Sequence, residues 1–276
     1  MQYLVILWNI LCHLACRTQP LPLGLDYAYI ALPVRPDDLS LAVSFLRAAN
    51  FRGCNVTIPH KSAIMPLLSE VMEDAQRIGA VNTVVNEDGR LIGYNTDCIG
   101  FLKGLEIAGF NGQGKRAVLL GAGGGARAVL WGLIKSGAKS VTIGARNVEK
   151  ARALAKEFAK YTDIHLAAFS WDSAEFDEEV KRTELLVNAT PLGMTPNVEA
   201  SPKAKLDLLP QNALVMDIIY TPRETKFLHD ARELGHNTKN GEDMLVYQGI
   251  AAFELWTGKR PDAKVMKSAL RGALGI

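Results

Sequence analysis

The sequence predicts an α/β protein with two domains, the second built on a doubly wound parallel sheet. Three observations carry that prediction. Short apolar runs of strand type alternate with helical patterns along most of the 276 residues. A polar, glycine-rich stretch, Phe110–Lys115, interrupts the alternation and reads as a linker. Directly after it come an apolar run, a cluster of glycines and a helical pattern. The chain is long enough for two domains with real cores. The boundaries drawn from it are 1–109, 110–240 and a closing helical stretch, 241–276.

In the first domain, residues 26–34 (DYAYIALPV) alternate and read as a strand. Pro36, Asp37 and Asp38 then open a helix whose buried face is Leu39, Val43 and Leu46. Gly53–Lys61 (GCNVTIPHK) reads as a short strand that stops at Pro59, and Ser69–Ile78 as a helix closed by Gly79. Val81–Asn86 and Leu91–Tyr94 form a hairpin around Glu87-Asp88-Gly89-Arg90. Asn95-Thr96-Asp97 leads into a helix ending at Gly109.

In the second domain, Arg116–Leu120 (RAVLL) is a buried-strand pattern, and Ala128–Ser136 is a helix with Val129, Leu130, Leu133 and Ile134 on one face and Gly137 as its stop. Between them Gly121-Ala122-Gly123-Gly124-Gly125-Ala126 fits the G-x-G-x-x-G/A pattern. In a strand–loop–helix setting that pattern is a dinucleotide-binding fingerprint of the Rossmann type. Gly121 permits the turn, Gly123 lets a pyrophosphate approach, and the helix N-terminus presents free N–H groups to it. Ser140–Gly144 is the next strand, and it ends near the position where an NAD-binding unit carries an acid. Here the residue is Arg146, with no acid beside it before Glu149. A guanidinium suits a 2′-phosphate, so the expected cofactor is NADP. Val148–Lys160 is an amphipathic helix, and Leu185–Ala189 and Ala213–Tyr220 supply further buried strands.

Composition sets limits on function. The chain is 48% apolar and 22% charged with a net charge of +2, so it has no strong field for nucleic acid or an acidic membrane. Cys12, Cys16, Cys54 and Cys98 form neither a zinc-type pair nor a disulfide framework, and no metal is expected. A reducing cytoplasm is the simplest setting. Tyr3–Leu14 is as apolar as the core of a signal peptide. No Lys or Arg precedes it, however, and it is too short to span a bilayer. Tyr3–Ile10 reads instead as a first buried strand.

A dinucleotide domain needs a substrate partner, and the chemistry for one lies near residues 53–61 and 93–97. Lys61 and Asp97 both follow strands, and strand ends face the ligand in α/β sheets. A Lys–Asp pair there can move a proton to or from an alcohol during hydride transfer. Asn55, Thr57, Asn82 and Asn95 are neutral donors and acceptors suited to a polyhydroxylated ligand. Taken alone, an aspartate placed as Asp97 is more often a helix cap, and Cys54 and Cys98 read as small packing residues.

Together these stretches resemble the shikimate dehydrogenase family. The segments that carry the resemblance are NVTIPHK (Asn55–Lys61), GAVNT (Gly79–Thr83), GYNTDCIG (Gly93–Gly100), GAGGGAR (Gly121–Arg127), NATPLGM (Asn188–Met194), DIIYTPRETKFL (Asp217–Leu228) and GEDMLVYQG (Gly241–Gly249). The resemblance implies NADP-dependent reduction of 3-dehydroshikimate to shikimate in aromatic amino-acid biosynthesis. It also implies two α/β domains around a cleft, C-terminal helices returning to the first domain, and a homodimer. By matching motif, Lys61 is the acid/base and Asp97 its partner. Thr57, Asn82, Tyr220 and Gln248 contact the substrate. The cofactor set is Glu73, Gly121, Ala122, Gly123, Gly124, Gly125, Ala145, Arg146, Asn147, Ile218 and Gly241.

Two departures stand out. The family's Asn-Arg-Thr is Ala145-Arg146-Asn147 here, which keeps the charge and loses one side-chain donor. The family's N-terminal Ser-x-Ser loop, which holds the substrate carboxylate, has no counterpart, because residues 1–22 contain no serine. A shifted reading frame or a divergent start is expected. The alternatives to a strict shikimate enzyme are a quinate/shikimate dehydrogenase of relaxed specificity and, because the Ser-x-Ser loop is absent, a catalytically impaired NADP-binding homologue.

Overall fold

The structure, a computed structural model, describes residues 2–7 (backbone only), 25, 27–49 and 51–275. The chain divides into two compact units. One runs to Gly100 and resumes at Val246; the other is Phe101–Leu245.

The first unit holds a mixed six-stranded sheet. Its strands are β1 (Gln2–Leu7), β2 (Tyr27–Leu32), β3 (Gly53–Val56), β4 (Glu70–Val71), β5 (Thr83–Glu87) and β6 (Arg90–Tyr94), in the order β2-β1-β3-β5-β6-β4. β1 lies parallel to both β2 and β3, while β3, β5 and β6 are antiparallel neighbours. The strand expected over Tyr3–Ile10 is thus present as Gln2–Leu7. The departure at residues 8–22 lies outside the described residues. Helix α1 (Leu39–Ala48) buries Leu39, Val43 and Leu46 against Phe51, Cys54 and Val56, as its spacing requires. Asp88 and Gly89 have φ of 49° and 90°, the paired positive values that a two-residue hairpin needs.

Two expectations here are corrected. β3 stops at Val56 rather than at Pro59, and Lys61 lies in a single helical turn, α2 (His60–Ala63). The helix expected over Ser69–Ile78 is only α3 (Glu73–Ile78). Ser69 and Met72 give their N–H groups to Leu91 and Gly93, so β4 pairs with β6 instead. An open strand edge satisfies those donors, and it outweighs helical periodicity. Gly79, at φ 70°, closes α3 as expected.

α4 (Asp97–Ile107) leads into the second unit. Its sheet contains β7 (Arg116–Leu120), β8 (Ser140–Ala145), β9 (His165–Ser170), β10 (Leu185–Asn188), β11 (Leu214–Asp217) and β12 (Asn237–Lys239). The order is β12-β11-β10-β7-β8-β9 and every pairing is parallel. That is the doubly wound order with its reversal between β7 and β10. α5 (Gly124–Lys135), α6 (Val148–Phe158), α7 (Ala174–Val180) and α8 (Lys226–Glu233) complete it. α5 starts four residues earlier than its apolar face predicts, inside the glycine motif itself. β11 ends at Asp217 and not at Tyr220, because Asp217 turns the chain by accepting the Ile219 N–H.

α9 (Glu242–Thr257) and α10 (Ala263–Leu274) close the chain. Ala252 and Trp256 of α9 pack on Tyr29 and Val85, and Trp256 Nε1–H donates to the Val84 carbonyl at 2.9 Å. Among the described residues, no helix is long and apolar enough to cross a membrane.

Candidate active site

Lys61, Asn82, Thr96, Asp97 and Gln248 meet in the first unit. Lys61 Nζ donates to Asp97 Oδ2 at 2.5 Å, and the two side chains are 22% and 14% exposed. An ammonium has three N–H donors. Asp97 takes one, and the other two have no partner among the described residues.

The local fold aims both groups. The Lys61 carbonyl accepts the Val81 N–H at 2.7 Å, which ties α2 to the GAVNT segment. Buried His60 contacts the Val34 carbonyl through Nε2 at 2.9 Å, which holds the same turn from its other side. Asn95 Oδ1 accepts the Asp97 N–H at 3.0 Å, so Asn95 caps the start of α4. The Asp97 carboxylate is thereby left for Lys61 and for Asn82, whose Nδ2 donates to Oδ1 at 2.9 Å. Asp97 is an ion-pair partner here and not a cap.

Asn82 is fully engaged. Its Oδ1 accepts the Thr96 N–H at 2.8 Å and the Thr83 hydroxyl at 3.0 Å. Its Nδ2 also reaches Thr96 Oγ1 at 3.0 Å and Gln248 Oε1 at 3.4 Å. Thr96, buried at the centre of this network, received no role from the sequence, although it sits beside Asp97, which did. Asn55 and Asn95 are internal: Asn55 binds Tyr29 and Thr83, and Asn95 binds the Ala80 carbonyl. Thr57 is partly exposed and its carbonyl accepts the His60 N–H at 2.8 Å. Glu73, at the start of α3, pairs with Arg77.

A second constellation lies in the second unit, around the β7–α5 turn. Gly121 has φ 106°, and a Cβ there would meet Thr190 Cγ2 at 2.9 Å. A Cβ on Gly125 would meet Ile218 Cδ1 at 2.7 Å, and one on Gly241 would strike the Ile218 backbone. At Gly123 and Gly124 the same atom would meet nothing within 4 Å. Internal packing therefore explains Gly121, Gly125 and Gly241. The bare surface of Gly123 and Gly124, at the N-terminus of a twelve-residue helix, suits an approaching pyrophosphate. Arg127 closes the motif but pairs with Glu157 at 2.9 Å and lies over the Phe158 ring, so it is not turned to a phosphate.

Ala145 ends β8 and is buried, and Asn147 caps α6 by accepting the Lys150 N–H at 3.1 Å. Arg146 is exposed between them and makes no hydrogen bond or ion pair among the described residues. The nearest acid in sequence, Glu149, is taken by Arg152. The free guanidinium and the open glycines together fit a phosphorylated dinucleotide. Ile218 and Tyr220 follow β11 in the same unit.

The fold and these two constellations define an α/β alcohol oxidoreductase of the Rossmann type. Comparison with known proteins gives its family. The model of the shikimate dehydrogenase substrate binding domain matches residues 18–84. Those of shikimate/quinate 5-dehydrogenase and the shikimate 5-dehydrogenase C-terminal domain match residues 105–226 and 241–271. An NADP(+) shikimate dehydrogenase of Moorella thermoacetica is 47% identical over 252 residues, which is 91% of this chain and 85% of that protein. One from Desulforamulus reducens is 45% identical over 249 residues, 90% and 86%. The crystal structure of the Thermus thermophilus enzyme in complex with NADP(H) and shikimate matches with a TM-score of 0.87 at 36% identity, covering 99% of this chain and 100% of that one. The chain belongs to the shikimate dehydrogenase family.

Proposed function

We propose that this protein catalyses the reversible NADPH-dependent reduction of 3-dehydroshikimate to shikimate. The observation that carries the reading is the Lys61–Asp97 pair, which leaves two ammonium donors unspent in a half-buried setting. Bound NADPH supplies the hydride. Lys61 gives its proton to the carbonyl oxygen as that oxygen gains charge, and takes it back from the alcohol in the reverse direction. Asp97 orients the ammonium and compensates its charge. Asn82 and Thr96 hold Asp97 in place. Thr57, Asn82, Tyr220 and Gln248 contact substrate hydroxyls. On the cofactor side Gly121–Gly125 take the pyrophosphate, Arg146 the 2′-phosphate, and Glu73, Ala145, Asn147, Ile218 and Gly241 line the remainder.

The same reading extends to organisation. It makes 1–109 the substrate domain, 110–240 the NADP domain and 241–276 the helices that return to the first. It makes the protein a cytoplasmic homodimer serving chorismate and aromatic amino-acid synthesis, without nucleic-acid or membrane partners. Steady-state assays of shikimate and quinate with NADP and NAD test it. Turnover of shikimate with NADP well above the other three combinations is the expected result, and no shikimate turnover overturns it.

The missing serines favour a second reading, a catalytically impaired NADP-binding homologue. A carboxylate left without fixed donors is costly to bury. Each lost charge-assisted hydrogen bond is worth about 1.5–3 kcal/mol. Shikimate affinity is therefore expected to rise when a Ser-x-Ser loop is introduced within residues 8–22. Equal affinity with and without it shows that other donors hold the carboxylate.

A further inference from the structure

Two strands of the second unit end on fully buried polar side chains, Asn188 on β10 and Asp217 on β11. Asp217 Oδ1 accepts the Ile219 N–H at 3.0 Å. Asp217 Oδ2 accepts Asn188 Nδ2–H at 3.1 Å and the Thr225 hydroxyl at 2.8 Å. Asn188 Oδ1 in turn accepts the Thr190 N–H and hydroxyl at 2.9 and 2.7 Å. Thr225 Oγ1 also accepts the Leu228 N–H at 3.4 Å and so caps α8. One carboxylate thus ties the turn after β10, the turn after β11 and the start of a helix. It does so without an ion pair among the described residues. Burial pushes the Asp217 carboxyl up to about 6, against the pull of its three donors. A charge kept at that cost, where an apolar residue would pack for less, calls for a use.

The geometry of the neighbours gives the use. The residues that press on the glycine turn are those next to the network. Ala189 and Thr190 crowd Gly121, and Ile218 crowds Gly125 and Gly241. We propose that Asp217 is a positioning residue of the cofactor side, locking the turns at 189–190 and 218–220 into one register behind the glycine loop. The inference rests on the dinucleotide reading of that loop and adds a residue that acts through others.

Amide hydrogen exchange on the cofactor-free protein reads the coupling directly. Asp217→Asn and Asn188→Asp are each expected to speed exchange about tenfold or more in both 188–194 and 218–225. In the double variant Asn188→Asp/Asp217→Asn the amide and carboxylate trade places. The amide, now ending β11, can donate to the carboxylate ending β10 and to Thr225 while its oxygen still accepts from Ile219; only the 3.4 Å donation from residue 188 to the Leu192 carbonyl is lost, so most of the protection is expected to return in both segments. NADPH dissociation constants, measured well below Tm, should rise about tenfold in each single variant and return to within about threefold in the double. If Asp217→Asn does not fold, Thr225→Val removes one donor at nearly constant shape and should loosen both turns by a smaller factor. Loosening confined to the substituted residue's own turn overturns the proposal, as does a lowered Tm with unchanged NADPH affinity. Wild-type protein that does not bind NADPH overturns the dinucleotide reading instead.

Discussion

Asp97 and Asp217 are the same residue type at the ends of two sheets, and their surroundings make them different groups. Asp97 faces a cation, is partly open and takes one neutral donor from Asn82. Asp217 is closed, faces no cation among the described residues and takes three neutral donors. Under the proposed mechanism the first takes part in proton transfer, since its partner Lys61 has two donors unspent among the described residues. The second spends every contact on holding turns. Exposure and partner charge, and not the carboxylate itself, separate reagent from framework.

Four tests bear on that contrast, and Lys61→Ala has the largest expected effect. It should lower kcat about 10²–10⁴-fold, the range of general acid–base help, with NADPH affinity unchanged. Wild-type turnover would remove Lys61 from proton transfer.

The second effect is on stability and belongs to Asp217. Its folded pKa, about 6, is raised above the unfolded value of 3.8 by burial. Between those two pH values the folded state binds more protons than the unfolded chain, so stability falls as pH rises through the window, by about 3 kcal/mol in total. Asp217→Asn removes that slope. Urea unfolding should show the variant's deficit relative to wild type largest near pH 4 and smallest at pH 7. A deficit independent of pH would mean that the buried carboxylate does not titrate there.

Arg146→Asp comes third. Loss of charge-assisted bonds to a 2′-phosphate, about 1.5–3 kcal/mol, should lower the ratio of kcat/KM for NADP over NAD about 10–100-fold. An unchanged ratio would show that the free guanidinium does not read the phosphate. The smallest is a pair of glycine substitutions, each worth about 1–3 kcal/mol. Gly123→Ala, with open space at its Cβ, should weaken NADPH binding and leave Tm in place. Gly241→Ala, driven into the Ile218 backbone, should lower Tm. The reverse assignment would mean that Gly123 is there for packing.

Much of this was legible before any tertiary structure. The apolar spacing of Leu39, Val43 and Leu46 does mark a buried face, and Asp88-Gly89 does turn a hairpin. Lys61 and Asp97, 36 positions apart, do meet. What escaped has a common cause. The helical reading of Ser69–Met72 failed because β6 offered its edge to those N–H groups. Asn188, Asp217 and Thr225 lie inside segments used for the family resemblance, yet a polar residue closing an apolar strand such as LLVN or LVMD carries no local mark of its partner.

Local pattern in the chain was enough for the α/β class, the doubly wound second sheet, the glycine turn with its unopposed arginine, and the residue types able to carry a proton. Periodicity and turn chemistry are short-range, and a side chain's acidity or charge travels with it. What each polar group is for waited on the folded contacts. They made Asp97 the ion-pair partner of Lys61 and tied Asn82 to the same carboxylate. They made Arg127 the partner of Glu157 and Asp217 a buried tie between turns. The reason is physical: a polar side chain takes its role from the donors, acceptors and charges within about 3 Å of it. For Asn82 and Asp97, Asn188 and Asp217, and Arg127 and Glu157 those neighbours stand 15, 29 and 30 positions apart in the chain.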